Sequence, residues 1–206
     1  MNKLGRPETN MWPRPHQFTV IEYHRMAQVG LLPPDVRVEL LEGVIYAMGP
    51  FSPLAMLPYG RSYRAMVNQL NTLLVRAVGE QAIVQCQGSI PLDELCEAQP
   101  EFALLAPRQD NYRDSEPRAS DVLLVIEVSD TTLRHDTRTK MPVYARHGIP
   151  ELWVVDVQGK RLRTYRRPVG SGYDEVVIQV MPSVGAVPIA ALPGASVDLS
   201  TLWEFG

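Results

Sequence analysis

Glu39, Glu101 and Glu127 have the type and placement for chemistry, because each stands on or beside a run of apolar residues that reads as a strand. The clearest case is Val122-Leu-Leu-Val-Ile-Glu-Val128, an apolar run broken only by Glu127. Its Val and Ile content and its lack of polar alternation predict a central strand covered on both faces. An ionised side chain there must be paired, hydrogen-bonded or metal-bound, since desolvating it alone costs roughly several kcal/mol. Carboxylates converging at the end of a sheet suit a hard divalent cation such as Mg²⁺ or Mn²⁺, which takes oxygen ligands and leaves room for water and a phosphate oxygen. Such an ion lowers the pKa of bound water and stabilises charge developing on phosphorus. Lys140, on the helix that follows, either acts on that water or phosphate or pairs with Asp136 four residues earlier on the same helical face. Spacing alone does not separate the two roles.

The elements that must position these residues follow from pattern. Residues 1–15 lack an apolar period and read as a flexible leader, leaving 16–206 as a single domain. Thr19 and Glu22 form a capping box for a helix that runs to about Gln28 and is stopped by Gly30 and the Pro33-Pro34 pair. Residues 36–48 predict a hairpin turning at Glu42-Gly43, with Glu39 on its first strand. An irregular loop over 51–60 leads to an amphipathic helix over 62–77, and strands are expected at 82–86, 89–92 and 100–105, the last with Glu101 at its entry. A solvated loop spans 107–120 before the strand of Glu127. A helix over 138–146, strands at 151–156, 161–166 and 175–180, and an apolar tail with Leu202 and Trp203 complete an α/β order.

The net charge of −3 argues against whole-surface attraction to nucleic acid, so any phosphate-binding patch must be local. Arg134, Arg138 and Arg146 cluster on the helix beside Lys140 and are the candidate contacts to a phosphate backbone. Arg161, Arg163, Arg166 and Arg167 on the later hairpin read equally well as solvating its outer face. His135 and His147 read as surface histidines, neither having a partner His at metal spacing. Cys86 and Cys96 are too few for a zinc module and are expected as reduced thiols. No apolar run reaches the roughly 18 residues of a membrane span, and the first residues lack the apolar core of a signal peptide. The expectation is a cytoplasmic protein without a membrane partner.

Five segments, taken in order, carry a resemblance: Val38-Glu39-Leu-Leu-Glu42-Gly43-Val-Ile; Gln99-Pro100-Glu101; Ile126-Glu127-Val128-Ser129; Lys140 followed by Tyr144; and Gly148-Ile-Pro-Glu-Leu-Trp-Val-Val-Asp156. Together they resemble the Uma2 family, of DUF820 type, a branch of the PD-(D/E)XK nuclease superfamily, from about Phe18 to Trp203. The resemblance implies a restriction-endonuclease-like mixed β-sheet flanked by α-helices with additional β-hairpins. It also implies a metal-dependent nuclease site, and often a homodimer. By the same resemblance Glu101 stands at the acid of the Pro-Asp pair, Glu127 at the second acid and Lys140 in the lysine role. In the parent pattern that lysine lies two residues after the second acid, where this chain has Ser129. Glu39 is the additional acid on the metal side, with Glu42 the alternative, although Glu42 falls in the turn. Two departures stand out. Glu101 is one methylene longer than the usual Asp, and Arg61, Ser62, Tyr63 and Arg64 stand where relatives carry a His. The expected function is a metal-dependent endonuclease hydrolysing phosphodiester bonds in DNA. The alternative is a catalytically inactive nuclease fold acting as a nucleic-acid-binding or protein-interaction module. A serine hydrolase is not supported, because no Gly-x-Ser-x-Gly turn is present.

Overall fold

Thr19 caps the first helix as its sequence predicts. Its hydroxyl accepts the Glu22 N–H at 3.2 Å, and the Glu22 carboxylate takes the Thr19 N–H at 2.8 Å, opening α1 (Val20–Gln28). The structure, a computed structural model, describes residues 13–32, 36–48 and 61–204. Most of the expected leader, the Pro33-Pro34 stop and the loop over 51–60 lie outside the described residues. The hairpin forms from β1 (Arg37–Leu41) and β2 (Val44–Met48). Its two turn residues, Glu42 at φ 53° and Gly43 at φ 76°, are left-handed, as a tight two-residue connection between twisted strands requires. A Cβ on Gly43 would lie 2.5 Å from the Cβ of Gln17, so the turn also admits the incoming chain only because it carries a glycine.

The long helix α2 (Arg61–Val78) is followed by β3 (Ile83–Cys86), β4 (Ile90–Asp93), β5 (Cys96–Ala98) and β6 (Phe102–Leu105). Next come β7 (Val122–Ser129), a helical stretch, β8 (Glu151–Asp156), β9 (Arg161–Val169) and β10 (Gly172–Val180). The short strands β11 (Ala186–Pro188) and β12 (Ser196–Asp198) pair with each other. One sheet has the order β10-β9-β8-β7-β6-β3 and a smaller one β2-β1-β5-β4. Within the larger sheet only β7 and β8 are parallel, and the helical stretch between them makes the crossover that a parallel pair needs.

That stretch differs from the expected helix over 138–146. It starts at Leu133 and has three parts: α3 (Leu133–His135), a π turn (Asp136–Lys140) and α4 (Met141–Arg146). The Met141 N–H reaches back five residues to Asp136 O. The widened turn lies immediately before Pro142, whose ring would clash with the preceding turn of a regular helix, so the chain stays helical through a proline placed near the start of α4.

Strand alternation divides the core in two. Leu124, Ile126 and Val128 of β7, with Trp153 and Val155 of β8, face α2 and the C-terminal tail, where Leu199 and Trp203 dock. Val125, Leu152 and Val154 face the opposite way, against Val143 and Tyr144 of α4 and against Leu41 and Ile90 of the smaller sheet. Glu127 lies on the same face as Val125, so its carboxylate enters the layer between the larger sheet, α4 and β1. No helix among the described residues is long and apolar enough to cross a membrane.

Candidate active site

Three strand segments and one π turn bring the acids together. Glu39 stands in the middle of β1, Glu101 enters β6, Glu127 lies near the end of β7, and all three are buried. Lys140, the last residue of the π turn and 2% exposed, puts its Nζ 2.7 Å from Glu127 Oε1 and 2.9 Å from Glu39 Oε2, and donates to Gln99 O at 3.3 Å. The lysine is therefore not a surface partner of Asp136. Asp136 is itself buried, and its Oδ2 accepts the hydroxyls of Ser129 and Thr132, each at 2.6 Å. Ser129, in the parent position of the lysine, thus anchors the turn from which Lys140 reaches the acid of β7.

Each carboxylate has its own set of donors. Glu39 accepts the Gln99 N–H at 3.2 Å and faces His135 Nε2 at 3.0 Å, so His135 is a partner of the cluster and not a surface histidine. Glu101 pairs with Arg37, accepts the Tyr63 hydroxyl at 2.8 Å and takes the Val128 N–H at 3.3 Å. Tyr63, in the stretch that departs from the family pattern, thus touches an acid of the cluster. Glu127 accepts the Tyr144 hydroxyl at 2.6 Å. Glu42 lies exposed in the hairpin turn, paired with Arg146.

The donors tune the acids differently. Burial pushes Glu39 up, but Lys140, His135 and the Gln99 N–H outweigh it and hold the carboxyl at about 2. Burial likewise opposes ionisation of Glu101, and Arg37 and Lys140 more than offset it, so its pKa is lowered. Glu127 goes the other way: burial drives its pKa well up, Lys140 only partly opposes this, and the neighbouring Asp136, Glu101 and Glu39 add to the rise. Burial disfavours the charged form of Lys140, yet Glu127 and Glu39 outweigh that and keep it an ammonium.

The donor set is all oxygen, which fits a hard divalent cation. The carboxylate oxygens of Glu39 and Glu127 meet at Lys140 Nζ, while Glu101 is drawn toward Arg37 and Tyr63. Among the described residues, a set of three ligand atoms from His, Cys, Asp or Glu within 4.8 Å of one another occurs only at Asp93, Cys96 and His147, none of them an acid of this cluster. Four buried carboxyl groups, those of Glu39, Glu101, Glu127 and Asp136, face the two fixed positive charges of Lys140 and Arg37. Full ionisation leaves two negative charges in excess.

The candidate phosphate contacts are more dispersed. Arg134 and Arg138 are exposed on the helical stretch that carries Lys140, while exposed Arg146 is engaged by Glu42. Sequence reasoning did not find Arg37 or the roles of Gln99, His135 and Asp136. Arg37 gave no pattern signal, because it stands at a half-buried strand position, and Gln99 acts partly through its backbone.

A mixed sheet with acids and a lysine gathered beside its parallel strand pair defines a nuclease fold of the restriction-endonuclease type. The chain belongs to the Uma2 family, whose model, described as "Putative restriction endonuclease", matches residues 20–200. Among solved structures it is similar to a "putative nuclease belonging to DUF820" from Anabaena variabilis ATCC 29413, at 15% identity with a TM-score of 0.64, over 87% of this chain and 97% of that one. That likeness confirms the fold. No curated protein matches the chain.

Proposed function

We propose that this protein is a metal-dependent endonuclease that hydrolyses phosphodiester bonds in DNA. The observation that carries the reading is the charge imbalance of the buried cluster, where four carboxyls face two fixed cations. A divalent ion would offset that excess; Asp136 has a structural part in fixing the turn, which leaves Glu39, Glu101 and Glu127 as the acids such an ion would engage. Glu39, Glu101 and Glu127 would hold Mg²⁺ or Mn²⁺. The bound ion would supply an activated water and stabilise charge on the phosphate.

The chain's own groups divide the remaining work. Lys140 stays protonated among the carboxylates, its three N–H groups serving Glu127, Glu39 and Gln99 O, so it acts as a positive charge that holds the acids in place and would attract a phosphate, not as a base. Asp136, Ser129 and Thr132 fix the turn that delivers it. Tyr144 holds the Glu127 carboxylate in place. Arg134 and Arg138 would lie along the phosphate backbone, with Arg146 joining them once released from Glu42. We further read the protein as a cytoplasmic homodimer, a setting consistent with two free cysteines.

The ion pair of Arg37 with Glu101 favours a second reading, in which a cation from the chain permanently occupies one metal ligand and the fold only binds nucleic acid or protein. The two readings separate on supercoiled plasmid incubated with purified protein and Mg²⁺, Mn²⁺ or EDTA. The nuclease reading predicts nicking with metal and none with EDTA. Salt-sensitive DNA binding without cleavage under any metal would establish the inactive module.

A further inference from the structure

We propose that Asp93, Cys96 and His147 form a transition-metal site suited to Zn²⁺, built from donors that the carboxylate cluster does not use. Asp93 ends β4, Cys96 begins β5 directly after the two-residue turn Glu94-Leu95, and His147 caps the C-terminus of α4. One ligand atom from each lies within 4.8 Å of the others. A thiol, an imidazole and a carboxylate make a borderline-soft set that selects Zn²⁺ or a similar transition ion over Mg²⁺. Three protein ligands with one open position is a familiar zinc arrangement, and the exposed Asp93 gives the ion a route in from solvent.

The hydrogen bonds around the three residues point the same way. His147 Nδ1 lies 2.8 Å from Val143 O, and a carbonyl can only accept, so Nδ1 carries the proton. In the neutral ring Nε2 is then a bare lone pair, yet it faces Asp93 Oδ2 at 3.0 Å. Two acceptors at that distance need a cation between them, either a proton or a metal. The other Asp93 oxygen accepts the Leu95 N–H at 2.8 Å, which leaves Oδ2 turned toward the histidine. The Cys96 thiol is buried where β5 begins, and coordination would replace its S–H bond by a metal–sulfur bond with the proton released to solvent.

An ion held here would join the β4–β5 hairpin to the end of α4. The hairpin leads through Gln99 to Glu101, and α4 follows directly on the turn that carries Lys140. The site would therefore brace two of the segments that position the carboxylate cluster.

Co²⁺ titration of the full chain tests this, because a thiolate ligand gives cobalt a near-ultraviolet charge-transfer absorption that an all-oxygen site cannot produce. The expected result is that absorption at one equivalent, displaced by Zn²⁺, retained in Cys86→Ser and in Glu127→Ala, and lost in Cys96→Ser. His147→Ala, at a partly exposed position, should weaken Co²⁺ binding at least tenfold while the far-ultraviolet circular dichroism stays unchanged. It keeps the test decisive should the buried Cys96→Ser fail to fold. No such absorption in the wild type, absorption that depends on Cys86, or unchanged affinity in His147→Ala would overturn the site. Retention in Glu127→Ala makes the result independent of whether the carboxylate cluster is a nuclease centre.

Discussion

Glu127 and Glu151 stand on the adjacent parallel strands β7 and β8, each with almost no exposed surface, on opposite faces of the sheet and toward opposite ends. Glu151 is answered in full: Arg166 Nε at 2.7 Å, the Trp153 indole N–H at 2.8 Å and the Ala190 N–H at 2.8 Å serve its two oxygens, and Arg166 balances its charge. Glu127 shares one lysine with Glu39 and lies in the field of Asp136, Glu101 and Glu39. Burial of a carboxylate is thus no signal of chemistry by itself. A balanced acid is a structural tie between β8, β9 and the tail. Acids crowded beyond their counter-charges support the proposed role of this cluster as a site for a cation or a charged substrate.

The largest effect expected is on Lys140. Lys140→Met keeps most of the length of the side chain but removes the ammonium that Glu39 and Glu127 share, so metal-dependent cleavage should fall by about 10²- to 10³-fold, as when a preorganised donor is lost. Single-turnover cleavage measures it, and undiminished rates would deny the lysine its role. Glu151→Ala should act on stability instead. It removes the closest partner of the Arg166 guanidinium, which is only 20% exposed and keeps Glu175 at 3.6 Å and the Pro188 carbonyl, and should cost about 2 kcal/mol in urea denaturation. A change below about 0.5 kcal/mol, the range of ordinary surface substitutions, would mean that the tie is not structural.

The pH dependence sharpens the contrast inside the cluster. Glu39 sits at about 2 in the fold against an ordinary 4.5, so its contribution is fully present above pH 4.5 and is lost as pH falls toward 2. Glu127 has the opposite sign: its raised pKa means that ionising it, as pH rises above 4.5, works against folding. Glu39→Gln should flatten the fall in stability between pH 4.5 and 2, and an unchanged acid limb would show that Glu39 is not held ionised by Lys140 and His135.

Much of this was legible in the sequence, for physical reasons that differ by element. Glu127 announced itself because an apolar run of Val, Leu and Ile leaves a lone carboxylate conspicuous, and β7 proved buried almost throughout. The hairpin of Glu39 was readable from Gly43, which takes the second left-handed position of the turn without strain, although Glu42 at the first is not a residue that favours it. Lys140 was separable from a surface pair with Asp136 only through the family resemblance, because i, i+4 spacing serves both roles and nothing local shows that Ser129 and Thr132 already claim Asp136. The π turn escaped because it depends on a shift of one hydrogen bond and not on composition. Strands β5, β11 and β12, each of three residues, were too short to show alternation. His147 read as a surface histidine because its neighbours Asp93 and Cys96 come from a hairpin some fifty residues earlier in the chain.

Cleavage of supercoiled DNA by Glu127→Gln and Glu151→Gln, measured side by side with Mn²⁺ and normalised to the folded fraction, tests the central contrast most directly. The account predicts that Glu127→Gln loses cleavage while staying folded, and that Glu151→Gln cleaves at the wild-type rate per folded molecule while unfolding more readily. Full cleavage by Glu127→Gln, or loss confined to Glu151→Gln, would contradict it.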